Sequence, residues 1–165
     1  MDHFVCKGQL FFSTGPDHCQ CIPHGFLVCT DGICQGAFPT LPDAYRDLPL
    51  LDFGDQLILP GLVDLHLHGP QFAYRGLGMD LELLDWLHTH TFPEEAKFQD
   101  LAYAEPAYRQ FTHALKHSFT TRAAIFATAH TEATLLLMDL LDESGLITYA
   151  VSYTHLRAHE TLANL

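Results

Sequence analysis

The run Leu62-Val63-Asp64-Leu65-His66-Leu67-His68, largely apolar and stopped by Gly69-Pro70, is the most constraining stretch of this chain. A short apolar run bounded by turn residues predicts a strand, and here it opens a region in which strands alternate with helices. Asp80 is placed to cap a helix whose apolar face is Leu81, Leu84 and Leu87, with Trp86 at its edge and Pro93 ending it. A second helix is expected from about Ala104 to Lys116, where Ala104, Ala107, Tyr108, Phe111 and Leu115 recur at helical spacing. Ala123 to Ala127 then predicts a buried strand, Thr131 caps a helix that Gly145 ends, and Leu146 to Ala150 begins a third strand. Strands and helices that alternate in this way pack as a parallel α/β layer.

The residues ahead of Pro60 follow a different pattern. Cys6 to Ser13 is strand-like, Gly15-Pro16-Asp17 is a turn, and Phe26 to Phe38 predicts a hairpin around Asp31-Gly32. Pro39, Pro42 and Pro49 then mark a loop that leads into Gln56 to Gly61. This gives three regions: a β-rich leader over 1–59, an α/β region over 60–150 and a tail over 151–165. The five cysteines, Cys6, Cys19, Cys21, Cys29 and Cys34, all lie in the leader. An odd number without a secretory signal predicts reduced thiols and a cytoplasmic protein. With 20 acidic against 8 basic residues the chain carries −12, a field that repels a phosphate backbone, so nucleic acid is excluded as a partner. No apolar run is long enough to span a membrane.

Twelve histidines make imidazole chemistry the first question. Residues two apart in a strand point to one side, so His66 and His68 present two imidazoles together while Leu67 points away. Zinc takes about four ligands, so such a pair starts a site and leaves others to be supplied. Asp64 shares their face but sits a step further from the strand's end, where hydrogen bonding suits it better than ligation. The remaining pairs have structural explanations: His113 and His117 lack the glutamate of a metalloprotease helix, and His88 and His90 suit a helix end. His130 follows a buried strand, where it either lines a pocket or caps a helix. Cys19-Gln20-Cys21 with His18 and His24 fits the spacing of a structural zinc site poorly.

The stretch Leu59 to His68 resembles the first barrel strand of the amidohydrolase superfamily. Gln71, Leu83-Leu84-Asp85-Trp86-Leu87, Thr91-Phe92-Pro93-Glu94-Glu95 and Phe126-Ala127-Thr128-Ala129-His130-Thr131 resemble, within it, the guanine deaminase family. The resemblance covers about Pro60 to Ala150 and departs locally where Ser118 to Arg122 replaces the usual Gly-Thr-Thr turn. It implies an α/β fold, an incomplete (β/α)8 TIM-type barrel with about the first three strands, preceded by part of a small β-sandwich. It further implies Zn2+ as cofactor with His66 and His68 as metal ligands. Gln71 and Trp86 are then substrate-binding, and guanine is hydrolysed to xanthine and ammonia. The acid/base residue and the other ligands belong to family segments outside this chain, so the fragment by itself is expected to be inactive. A homodimeric parent is a further expectation.

About three of eight βα units fit between Pro60 and Ala150 at roughly 30 residues each. Residues 151–161, from Val151 through His155 and His159 to Thr161, resemble translated sequencing-adapter DNA, and the tail over 151–165 is expected to be non-native. Other functions remain open alternatives: a different amidohydrolase of the cytosine deaminase, triazine hydrolase or cyclic amidase type, or a non-catalytic Cys/His zinc-binding module.

Overall fold

The computed structural model describes residues 2–152 of the chain. It divides into two units, Met1–Pro60 and Gly61–Leu165. In the first, β1 (Phe4–Gly15) and β2 (His18–Thr30) form a long antiparallel hairpin about the Pro16–Asp17 turn. β3 (Ile33–Phe38) returns against β2 through Asp31 and Gly32, whose φ values of 53° and 72° are the pair that a tight two-residue hairpin demands. β4 (Leu50–Ile58) runs parallel to β1, giving the order β3-β2-β1-β4. It begins six residues earlier than the apolar run at Gln56 implies. The polar segment bulges out of the β1 ladder between the pairs Lys7↔Asp52 and Gln9↔Leu57. Asp52 anchors the bulge by accepting from the Gly54 amide and the Lys7 ammonium, bonds that hold its carboxyl below the usual range. Val5, Leu10, Ile22 and Val28 are the buried apolar side chains of this unit.

The second unit carries a three-stranded parallel sheet of order β5-β6-β7, with β5 at Leu62–His68, β6 at Thr120–Phe126 and β7 at Ile147–Val151. Parallel strands need long crossovers, and here they are helical. Between β5 and β6 come α1 (Leu83–Trp86), a π-turn (Leu87–Thr91), α2 (Phe92–Ala96) and α3 (Leu101–Lys116); between β6 and β7 comes α4 (Thr131–Ser144). α3 and α4 pack together over the sheet. Their shared core of Phe98, Tyr108, Phe111, Ile125, Leu137 and Leu141 is essentially sealed from solvent. At the start of the sheet Gly61 lies so close to β6 that a β-carbon there would stand 2.1 Å from Thr121 Oγ1 and 2.7 Å from its Cβ. No side-chain rotation clears that overlap, so the contact between the two strand starts requires glycine. No helix among the described residues is long and apolar enough to cross a membrane.

Several local expectations are corrected. Asp80 does not cap the first helix: Gly76 and Gly78 take positive φ and keep the chain turning, and Glu82 precedes α1 instead. Leu81 and Leu84 are exposed, while Leu87 is the buried member of that set. Pro93 does not end the helix. The π-turn widens the backbone ahead of it, and Pro93 falls in the first turn of α2, where its missing N–H is not required. At α4 the cap residue is His130, not Thr131; its carbonyl accepts from the Thr134 amide, and its own amide donates to the Thr128 hydroxyl. Gly145 ends α4 in the left-handed conformation that its position predicts.

Candidate metal centre

The alternation of β5 decides which side chains can meet a metal. Leu67 packs partly buried against the helical core, so the flanking His66 and His68 project from the opposite face. Their Nε2 atoms lie 3.1 Å apart. Two nitrogen ligands at about 2.0–2.1 Å from a tetrahedral zinc are separated by roughly 3.3 Å, so the pair is spaced to share one ion. The imidazole donor set suits Zn2+, and the two residues fit the group as two of its ligands. Among the described residues no three His, Cys, Asp or Glu side chains converge as a metal site.

What holds the imidazoles is partly beyond β5. The parallel register sets His68 beside Phe126, the last residue of β6. The Phe126 ring lies with its centroid 4.8 Å from that of His66 and 5.1 Å from that of His68. One phenyl therefore backs both imidazoles and restricts their rotation. Sequence reasoning missed this role, because nothing in the residues around Phe126 reveals how far β6 slides along β5. Asp64 accepts from the His66 amide at 3.1 Å, which turns its carboxylate to the backbone.

Directly after β5, the Gly69 amide donates to the Phe126 carbonyl at 3.0 Å, and Pro70 starts a 3-10 turn over Pro70–Tyr74. That turn brings the Gln71 amide to His68, with Nε2 3.2 Å from Nδ1. Trp86 supports the segment that follows. Its indole N–H donates to the Leu77 carbonyl at 2.9 Å, and its ring meets Tyr74 with centroids 5.6 Å apart. Gly78, at φ 64°, passes beneath it: a β-carbon there would fall 2.6 Å from the His90 ring and 3.0 Å from Trp86. The structure thus brings together His66, His68 and Gln71, and sets Trp86 against Tyr74 and the Leu77–Gly78 backbone. Burial raises the Tyr74 and Tyr108 hydroxyls well above the usual phenol range.

The other histidines and the cysteines lie elsewhere. His113 and His117 stack on α3 with centroids 4.1 Å apart, and His117 Nδ1 donates to the His113 carbonyl. His88 meets Phe92 edge-on, and His90 stacks near Tyr74. All five cysteines are free thiols; Cys29 and Cys34 are cross-strand partners, and Cys6 is raised by burial and by Cys29. His155 and His159, with most of the adapter-like stretch, fall outside the described residues, while Val151 completes β7.

Residues 57–158 match the Amidohydrolase family, and the chain belongs to it. Within that family it is similar to the guanine deaminase of Homo sapiens, 42% identical over 90 residues, which are 54% of this chain and 20% of that protein. The crystal structure of a guanine deaminase from C. acetobutylicum with guanine in its active site superposes with a TM-score of 0.86. That match is at 39% identity over 90% of this chain and 35% of the other. A mutant atrazine chlorohydrolase from Arthrobacter aurescens, complexed with zinc and atraton, shares the fold at TM-score 0.71. It is 15% identical and covers 90% of this chain and 35% of the other. The chain spans about a fifth of the length of the curated relatives and about a third of the solved ones.

Proposed function

We propose that this chain supplies the first ligand pair of a zinc-dependent guanine deaminase, which hydrolyses guanine to xanthine and ammonia. The observation that carries the reading is the 3.1 Å spacing of two Nε2 atoms on a strand, in a chain about 40% identical to guanine deaminases. In this reading β5, β6 and β7 are the first three strands of a (β/α)8 barrel, and the β1–β4 sheet is part of a small β-sandwich. The imidazoles then lie at the carboxyl ends of the barrel strands, where such enzymes act. We place the protein in the cytoplasm, a setting that suits its free thiols.

The reaction adds water to the ring carbon bearing the amino group and releases that group as ammonia. Zinc, when bound, supplies Lewis-acid polarisation and eases the deprotonation of water near neutral pH. His66 and His68 hold the ion as neutral imidazoles, and Phe126 keeps their rings in register. Gln71, whose amide both donates and accepts, reads a polar edge of the purine from the turn beside His68. Trp86 secures the strap of chain over 74–78 that follows Gln71. The remaining ligands and the acid/base group come from family segments that this chain does not span.

In the full-length enzyme carrying this sequence, His66→Ala and His68→Ala are each expected to lower zinc occupancy and reduce guanine turnover to background. Turnover of cytosine, a triazine or hydantoin without guanine would reject the substrate assignment, and an unchanged zinc content in both variants would reject the metal centre.

A further inference from the structure

All five thiols lie in the β-rich unit, and the register of its strands decides which of them meet. Cys19 and Cys21 stand opposite Ser13 and Phe11, and Cys6 stands opposite Leu27. Cys29 stands directly opposite Cys34. This pair is one step outside Thr30 and Ile33, the residues that close the two-residue turn at Asp31 and Gly32. In an antiparallel hairpin the closing pair exchanges both backbone hydrogen bonds, and the next pair exchanges none. At such a position the α-carbons approach to about 4.5 Å and the side chains are closer than elsewhere in the ladder. A disulfide spans α-carbons about 4.4–6.8 Å apart, so these two thiols are placed to be joined with little backbone movement. Cys6 is a diagonal neighbour of Cys29, near enough that Cys29 adds to the upward shift that burial imposes on its thiol. Diagonal positions are roughly 7–8 Å apart, which is beyond that reach.

From this register we propose that Cys29 and Cys34 are a redox modification site, converted to a cross-strand disulfide by a low-molecular-weight disulfide of the glutathione class. Cys34 is exposed, whereas Cys29 is half-buried with its thiol donating to the Asp2 carbonyl at 3.9 Å. A small oxidant therefore meets Cys34 first. The Cys34 thiolate attacks one sulfur of the oxidant R–S–S–R, displaces RS−, and is left as a mixed disulfide. Cys29 then attacks the Cys34 sulfur and displaces the second RS−. The two cysteines lose two electrons to the oxidant and two protons to the departing thiolates, so the products are one protein disulfide and two small thiols. The second step is intramolecular and gains from the fixed proximity of the pair. In a reducing compartment such a bond is transient, formed when the oxidant rises and reversed by excess thiol, which agrees with free thiols at rest. β3 is an edge strand of its sheet, and Cys34 lines the apolar cavity of this unit with Leu27 and Ala37. The bond thus fastens the edge strand and one wall of that cavity. None of this depends on the metal-centre reading.

The test treats the folded full chain with a mixture of oxidised and reduced glutathione, blocks the remaining thiols, and digests it with a protease that cuts before aspartate. Cleavage at Asp17, Asp31 and Asp43 separates 17–30 from 31–42. In wild type these two peptides should stay joined by a link that a reductant breaks, with two of the five thiols lost and no glutathione retained on either cysteine of the pair. Cys29→Ser should abolish the link and trap glutathione on Cys34, and Cys34→Ser should abolish the link and leave Cys29 reduced. Cys6→Ser, Cys19→Ser and Cys21→Ser should each leave the link in place. A wild-type chain that collects only mixed disulfides overturns the proposal. So does a link that survives Cys29→Ser, one lost in Cys19→Ser or Cys21→Ser, or a bond between Cys6 and Cys29.

Discussion

Two tyrosines show at the residue scale how burial becomes a pH dependence. Tyr74 and Tyr108 are raised chiefly by desolvation, with the neighbouring Glu95 adding to the shift in both. A phenol harder to ionise folded than unfolded loses protons first from the unfolded chain. Stability is therefore intact below the ordinary phenol range, about pH 10, and falls as pH rises through it. Alkaline titration followed at the phenolate absorbance band should find these two ionising only with unfolding, and Tyr74→Phe with Tyr108→Phe should flatten the decline. If both titrate normally in the folded chain, their burial is not maintained in solution. The sequence made some of this scale legible and left the rest dark. His66 and His68 could be read as a pair because a strand's period of two is intrinsic to one segment. The backing of both by Phe126 could not, since it arises from a register between segments more than fifty residues apart.

Among the elements, the stretch from Pro70 to Ala96 is where the sequence misled and where the site's support is built. A proline at Pro93 and a cap-type residue at Asp80 suggest one bounded helix, yet two positive-φ glycines delay its start and a π-turn carries it past the proline. Neither device has a hydrophobic period, so neither shows in the pattern of apolar residues. Trp86→Phe removes the bond to Leu77 while keeping most of the ring, and should cost about 1 kcal/mol in chemical denaturation. Gly78→Ala forces a β-carbon into a left-handed backbone under His90 and Trp86, and should cost about 1–3 kcal/mol. Because Trp86 is the chain's one tryptophan, its emission follows this strap alone. An unshifted emission maximum in Gly78→Ala would mean that the strap does not depend on that glycine.

For the molecule as a whole, alternation of strand and helix after Pro60 was enough to anticipate a parallel sheet, since few other packings bury such a sequence. The helices cover one side of it. Leu62, Val63, Leu65 and Tyr149 remain between 55% and 76% exposed on the sheet. In the first unit an apolar cavity of about 460 Å³ opens among residues such as Phe11, Leu27 and Ala37. Surfaces of this kind bind hydrophobic dyes and associate. The chain on its own should bind anilinonaphthalene sulfonate while folded and sediment as a mixture of oligomers; a monodisperse, dye-silent monomer would show that the apolar surface is covered in solution. The close approach of Gly61 to Thr121 adds a constraint of a genetic sort. Every missense change in that codon adds a carbon where the two strand starts meet. The strands must then part or slip, and the phenyl ring at the far end of β6 is carried out from behind the histidines. A population of such genes should tolerate synonymous variation at this codon and purge almost everything else, although the residue is far from any reacting atom.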